Sequence, residues 1–140
     1  MERVTFGSFA ELTNARSVVP VLSTGRFDVS RKLFAAWVDD ALGADGFDEK
    51  WYGVRYPDIS KGIRDGVIQS GRWHYAQFGY FENRMPRRID VDAEYYADKY
   101  PDIKSAIKDR RIESAQWHFD EIGFMEGRSP RADWSLFPPR

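Results

Sequence analysis

Apolar residues recur at helical spacing between residues 28 and 42, and most positions between them are polar. Asp28 or Ser30 can cap the start of this segment, and Gly43 and Gly46 follow its end. Its two apolar stripes consist of Leu33, Trp37 and Ala41, and of Phe34, Val38 and Leu42. The pattern predicts an amphipathic helix over 28–42, which we expect to pack against the sequence that follows.

The preceding residues, 1–27, have a less regular pattern. Val4 and Phe6 alternate as in a short strand, and Pro20 interrupts the apolar run 17–22. Proline confines a strand to a sheet edge or excludes it. We therefore predict an irregular, partly extended N-terminal segment, which forms a leader over 1–46 together with the amphipathic helix.

The rest of the chain repeats itself. Residues 47–87 align without a gap with residues 91–131, at an offset of 44 positions. The residues of the first copy that recur unchanged include Tyr52, Tyr56, Pro57, Asp58, Ile59, Ile63, Asp65, Ile68, Ser70, Trp73, His74, Gly79, Glu82, Arg84, Pro86 and Arg87. A match of this extent indicates a tandem duplication, and its period is typical of stacked helical units. The predicted boundaries are 47–87 and 88–131, followed by a tail over 132–140.

Each copy is predicted to form three short helices. The first covers 48–55 and ends before Pro57, because the residue that precedes a proline is disfavoured in the helical region. Pro57 and Asp58 suit the first turn of a second helix. The third helix begins near Ser70, a suitable N-cap. The predicted fold class is therefore mainly α, with two tandem three-helix repeats.

The end of each copy contains residues that tolerate unusual backbone angles. Gly79 and Gly123 fall where a left-handed C-cap is expected. Asn83 in the first copy corresponds to Gly127 in the second, and both residue types tolerate positive φ. We predict a left-handed residue at this second position. The tail ends in two prolines, which place Trp134 and Phe137 on an extended peptide.

Composition excludes several classes of function. A formal net charge of −1 with 31% charged residues argues against general nucleic-acid binding. Without cysteine, two histidines cannot build an ordinary structural zinc site, and we expect no metal or other cofactor. The N-terminus does not resemble a signal peptide, and no apolar run reaches the length of a membrane span. We expect a cytoplasmic location, or a place in a particle assembled in the cytoplasm, without membrane insertion.

The candidate catalytic residues have simpler structural interpretations. His74 and His118 lie one helical turn before Phe78 and Ile122, as packed histidines with satisfied hydrogen bonds do. Asp58 and Asp102 fit the first turn of a helix, where an anion is favoured. Glu82 with Arg84, and Glu126 with Arg128, could form a sugar-binding polar pair, but a surface or inter-repeat salt bridge is the favoured interpretation. No nucleophile, metalloprotease or nucleotide-binding motif is present, and we predict that the chain is not an enzyme.

Aromatic residues make up 16% of the chain, which indicates an aromatic core, an aromatic binding surface or both. Trp73 and Trp117, with Tyr56 and Tyr100, are predicted to be core residues because they recur at helical positions. The candidate partner-binding residues are the aromatics Trp51, Tyr80, Trp134 and Phe137, expected to be exposed, and the basic pair Arg110 and Arg111.

The repeated motif resembles a short module of proteobacterial proteins. The resemblance rests on YYADKYPDI and its counterpart WYGVRYPDI, on WHY and WHF, and on GYFENRMPR and GFMEGRSPR. That module is often appended to glycosyltransferases or to large calcium-binding-repeat surface proteins. The resemblance implies a helical accessory unit in the context of cell-surface polysaccharide. The chain also resembles accessory spike or vertex proteins of phages and gene transfer agents, which contact capsule.

Two function hypotheses follow. The first is a non-enzymatic adaptor associated with surface polysaccharide, acting through glycan contact or by docking the machinery that handles the glycan. The second is a structural component of a phage-like particle, such as a capsid-vertex or head-spike base protein. Both involve a protein partner or a homo-oligomer, and both use exposed aromatic residues. A small enzyme that uses His74 or His118 is a third and disfavoured hypothesis.

Overall fold

The computed structural model describes residues 30–137, which form seven α-helices. These are α1 (Arg31–Leu42), α2 (Glu49–Arg55), α3 (Pro57–Arg64), α4 (Gly71–His74), α5 (Ala93–Lys99), α6 (Pro101–Lys108) and α7 (Ala115–His118). One π-helical turn continues α4 over Tyr75–Gly79, and another continues α7 over Phe119–Gly123. Within the described range no residue is in a strand, which confirms the mainly α prediction there. The predicted N-terminal segment 1–27 lies outside the described residues.

Helix α1 begins one residue after Ser30, whose hydroxyl accepts a hydrogen bond from the backbone N–H of Leu33 at 3.2 Å. Its face with Ala35, Val38 and Leu42 is buried. The helix packs against the π turn Tyr75–Gly79, so the prediction that it lies on the first repeat is confirmed. The predicted apolar surface is broader than the buried one, because Leu33 and Trp37 stay exposed.

The two repeats have the same order of elements and the same helix starts. Asp48 and Asp92 cap the first helix of each repeat, and Ser70 and Ser114 cap the third. Pro57 and Pro101 occupy the first position of the second helix, where the missing N–H costs nothing. These local rules explain why the short helices begin at the predicted residues.

The chain divides into two compact units. Of the described residues, 30–88 and 135–137 belong to the first unit, and Ile89–Trp134 form the second. The largest buried side chains of the first unit include Tyr52, Tyr75, Tyr80, Leu42, Met85 and Leu136, and those of the second unit include Ile89, Tyr96 and Phe119. Residues 136 and 137 of the predicted tail are therefore part of the first unit's core.

Two positions at the end of each repeat are predicted to have a left-handed backbone, and the structure agrees with only one of these predictions. Asn83 and Gly127 have φ of 53° and 70°, which confirms the predicted left-handed position. Gly79 and Gly123 are not among the residues with positive φ, so the left-handed C-cap predicted for them is wrong. Each is needed for space instead, because a Cβ there would collide with the hydroxyl of Tyr52 or Tyr96.

Candidate binding surfaces

A tyrosine–histidine pair lies in the core of each unit. The hydroxyl oxygen of Tyr52 lies 3.1 Å from Nδ1 of His74, and the equivalent distance from Tyr96 to His118 is 2.9 Å. Both histidines are buried, and this burial lowers their pKa, while burial raises the pKa of both tyrosines. The pairs therefore stay uncharged near neutral pH. Their burial and hydrogen bonding support the structural interpretation of the histidines.

An arginine holds the motif residues of the first repeat together at the surface. Nη1 and Nη2 of Arg84 donate to the two carboxylate oxygens of Asp58 at 3.1 and 2.9 Å, and Nε donates to Glu82 at 2.6 Å. The guanidinium lies 4.8 Å from the ring centroid of Tyr56. The hydrogen bonds from Arg84 hold the pKa of Asp58 below its usual value. The predicted salt bridge between Glu82 and Arg84 is therefore confirmed. The contact between Arg84 and Asp58, which was not predicted, joins the first turn of α3 to the end of the repeat.

The second repeat reproduces this arrangement. Arg128 donates to Asp102 at 3.2 and 3.0 Å and to Glu126 at 2.7 Å, and its guanidinium lies 4.7 Å from the ring centroid of Tyr100. Charge-assisted bidentate contacts of this kind are stronger than single ones. In each repeat, these contacts therefore link the YPD segment of the motif to the ExR segment of the same repeat.

The paired tryptophans of the motif lie at the surface. Trp73 is 36% exposed and Trp117 is 41% exposed, so the prediction that they are core residues is wrong. The reason is helical geometry: α4 buries Gly71 and His74, and at about 100° per residue Trp73 points away from that side. Its indole contacts Phe78 edge-on, with 5.9 Å between the ring centroids. The feature of the sequence that marks this position is that tryptophan recurs there in both repeats.

Two of the predicted partner-binding aromatics are core residues. Tyr80 is only 2% exposed and Phe137 only 7%, so the expectation of exposed platforms is wrong for both. Their rings stack on each other with 6.1 Å between centroids, and Phe34 covers Tyr80 from α1. With Trp37, Val38 and Ala41 they line a shallow apolar depression in the first unit. Burial removes both side chains from the surface available to a partner.

The other four predicted residues lie on separate elements. Trp51 is half-buried on α2, and Trp134 is half-buried against Phe119 and Phe124. Arg110 and Arg111 are exposed in the turn after α6, and Arg111 forms an ion pair with Asp109 at 3.1 Å. Trp51 belongs to the first unit, whereas Trp134 and the two arginines lie on different segments of the second unit. Their role in partner binding stays a prediction.

An exposed apolar surface on the second unit was missed by the sequence analysis. Ile122 is 40% exposed and Met125 is 62% exposed. The residues at the same positions of the first repeat, Phe78 and Phe81, are half-buried next to α1. A sequence signal was available, because an amphipathic helix precedes the first copy and only residues 88–90 separate the second copy from it.

Among residues 30–137, no group of three or more histidine, aspartate and glutamate side chains is arranged to hold a metal ion. No helix in the same range has the length and apolar character needed to cross a bilayer. No protein-family model matches the chain, and no curated protein or solved structure matches it either. The resemblance to the polysaccharide-associated module stays a prediction.

Proposed function

We propose that this chain is a non-enzymatic adaptor that contacts cell-surface polysaccharide, with Trp73 and Trp117 as its sugar-stacking residues. The observation that carries the proposal is the exposure of the same large aromatic residue in both repeats. The other prominent shared side chains have structural roles, in the tyrosine–histidine pairs, the arginine contacts and the helix caps. The two tryptophans are not part of the buried core, because 36% and 41% of their surface is exposed.

The surroundings of each indole suit a glycan. An indole face packs against the C–H face of a pyranose ring, and neighbouring polar groups can bind the hydroxyls around it. Gln77 follows Trp73 by four residues, and Glu121 follows Trp117 by the same spacing, which is one helical turn. Each tryptophan is therefore followed by a polar residue, which is glutamine in the first repeat and glutamate in the second.

The buried histidines favour an adaptor over an enzyme. A general base must reach the proton that it removes from a substrate. His74 is 7% exposed and His118 is 3% exposed, and Nδ1 of each is bonded to a core tyrosine. The presence of the same pair in both repeats is expected for residues that maintain the fold.

The proposal is tested by titrating the full chain with capsular polysaccharide from its source organism, using calorimetry and tryptophan fluorescence. The variants are Trp73→Ala, Trp117→Ala and the double variant. The matched control is Trp37→Ala, because Trp37 is 43% exposed on α1 and lies outside the repeats. We expect each single variant to weaken binding roughly tenfold, equivalent to about 1.4 kcal/mol, and the double variant to abolish it. Unchanged circular dichroism spectra would show that the variants are folded.

Two outcomes would overturn the proposal. One is the absence of heat and fluorescence change at millimolar sugar. The other is a double variant that binds as well as the control variant does. Either result would leave the second hypothesis, a component of a phage-like particle, as the one to pursue. The exposed Ile122 and Met125 favour that hypothesis, because aliphatic side chains suit a protein partner better than a sugar ring.

A further inference from the structure

The turn after the second helix has the same backbone in both repeats but different residues. The N–H of Gly66 donates to the carbonyl of Ile63 at 3.1 Å. At the same place in the second repeat, the N–H of Arg110 donates to the carbonyl of Ile107 at 3.0 Å. Gly66 has a φ of 73° and Arg110 a φ of 57°, so both are left-handed. The second repeat therefore has an arginine where the first repeat has a glycine.

Glycine is the residue type that suits this backbone. It has no Cβ, whereas other residues are strained at positive φ, and asparagine and aspartate tolerate it best. Among the described residues, the other non-glycine positions with positive φ are Asn83 and Asp133, which belong to those two types. The helix dipole does not require Arg110 either, because Lys108 already places a cation in the last turn of α6. Local backbone structure therefore favours glycine over Arg110.

The next residue is also basic in the second repeat. Arg111 occupies the position of Val67, and Arg110 and Arg111 are both exposed. Arg111 forms an ion pair with Asp109 at 3.1 Å, in which the side chains are 64% and 57% exposed. Exposed pairs of this kind contribute little to stability, so an anion in solution can compete with Asp109 for the guanidinium. The turn therefore presents two guanidinium groups to the solvent.

This turn lies close to Trp117 along the chain of the second unit. Ser114, three residues after Arg111, caps α7, and its hydroxyl accepts a hydrogen bond from the N–H of Trp117 at 3.0 Å. Three extended residues span at most about 11 Å, and three helical residues rise by about 5 Å. The Cα atoms of Arg111 and Trp117 are therefore at most about 16 Å apart. A few sugar residues of an extended polysaccharide cover that distance.

We propose that Arg110 and Arg111 bind the anionic groups of a polysaccharide whose sugar ring stacks on Trp117. This inference rests on the proposed function and names its substrate class, an acidic polysaccharide with carboxylate or phosphate groups. A planar guanidinium donates two parallel hydrogen bonds to either group, and such charge-assisted bonds are among the stronger ones. Glu113 replaces Gln69 two residues later, so the segment contains both signs of charge. Recognition therefore depends on short-range contacts with the two arginines rather than on net charge.

The ligand for the test is the capsular polysaccharide of the source organism in two forms. One is native, and the other has its carboxylates reduced to primary alcohols with carbodiimide and borohydride. The test variant is Arg110→Gly/Arg111→Val, which gives the turn the residues of the first repeat. The matched control is Lys32→Gln/Lys50→Gln, because both lysines are exposed in the first unit and their loss changes the net charge equally. Calorimetry at low ionic strength, where charges are least screened, measures the affinities.

We expect the arginine variant to bind the native polysaccharide about tenfold more weakly than the control variant does, as for the loss of hydrogen bonds to charged groups. Both variants should bind the reduced form equally. A difference that persists on the reduced form would identify phosphate as the bound group where the polysaccharide contains it, and would overturn the proposal where it does not. The arginine variant should also unfold at a temperature a few degrees higher, because glycine relieves the strain at position 110.

Three further outcomes would overturn this inference and leave the adaptor proposal in place. The first is an arginine variant that binds the native polysaccharide as tightly as the control variant does. The second is a bound polysaccharide without carboxylate or phosphate groups. The third is a lower unfolding temperature of the arginine variant, which would give the two arginines a structural role.

The Trp73→Ala/Trp117→Ala variant separates the two proposals. It should lose affinity for both forms of the polysaccharide, whereas the arginine variant should lose affinity for the charged form alone. Failure of the parent chain to bind either form would overturn both proposals together.

Discussion

The hydroxyl oxygen of Tyr52 occupies the space that a Cβ would need at Gly79. The same relationship holds between Tyr96 and Gly123 in the second repeat. In both repeats the glycine ends the π-helical turn, and the tyrosine hydroxyl also bonds to the histidine that precedes this turn. A buried hydroxyl, an imidazole and a glycine backbone thus fit together as one packing unit.

Substitution of this glycine by a residue with a side chain should destabilise the fold. We expect Gly79→Ala to lower the free energy of unfolding by about 1–3 kcal/mol, as other overpacked cores do. Tyr52→Phe removes the oxygen that the new methyl group would meet, so the double variant should lose less than the sum of the two single losses. Denaturant unfolding of all four proteins measures the coupling. Additive losses would contradict the proposed contact.

The buried histidines predict a particular dependence of stability on pH. Burial lowers the pKa of His74 and His118 below the ordinary value of 6.5. As the pH falls through that value, the unfolded chain binds protons before the folded chain does. The free energy of unfolding therefore falls with pH, until the pKa of the folded histidines is passed.

Denaturant unfolding between pH 8 and pH 5 tests this expectation. The His74→Gln/His118→Gln variant should show a smaller decrease over the same range. Asp58 and Asp102 also have lowered pKa values, because Arg84 and Arg128 bind their charged forms. Their contribution is present above the ordinary value of 3.8 and is lost only at lower pH. Equal pH profiles for the variant and the parent would contradict the assignment to histidine.

The arginine contact should depend on the geometry of the guanidinium. The ammonium of lysine lacks the planar fork with which the guanidinium binds both oxygens of Asp58 and also Glu82. We expect Arg84→Lys to destabilise the first unit by about 1–2 kcal/mol, because hydrogen bonds to charged groups are among the stronger ones. The control is Lys61→Ala, which removes an exposed ion pair with Asp65 and should cost less than about 0.5 kcal/mol. Equal effects of the two changes would show that the guanidinium geometry does not matter.

The burial of Phe137 gives a further expectation. This residue stacks on Tyr80, so Phe137→Ala should lower the free energy of unfolding by about 3 kcal/mol. Met125→Ala is the control, because an exposed side chain contributes within about 0.5 kcal/mol. Thermal and denaturant unfolding measure both variants. A neutral effect of Phe137→Ala would indicate that the tail does not stabilise the first unit.

The features predicted correctly from the sequence depend on neighbours along the chain. Ser70 caps its own helix, Pro57 begins the next one, and Asn83 adopts the left-handed angle that its side chain tolerates. Such rules involve three or four residues and can be applied without a fold. The duplication added a check, because each copy had to satisfy the same rules.

The errors concern contacts between distant residues. Gly79 is predicted to be a left-handed C-cap, because its close contact with Tyr52, 27 positions away in the sequence, cannot be seen without the fold. Tyr80 is a core residue because Phe34, which precedes the first repeat, and Phe137, which follows the second, both pack against it. Trp73 is predicted to be a core residue because it recurs at a helical position, whereas the helix buries the histidine that follows it. Burial of a given side of a short helix depends on which elements pack there.

The two ends of each repeat are joined by a backbone hydrogen bond. The N–H of Asp48 donates to the carbonyl of Pro86 at 3.1 Å, and that of Asp92 donates to Pro130 at 3.0 Å. The chain therefore enters and leaves the module at one place. A segment with neighbouring ends can be placed within a surface loop of a host protein without stretching that loop. In evolutionary terms, one insertion or one further duplication would add a complete unit, because the hydrogen bonds and ion pairs of the motif lie within a single repeat.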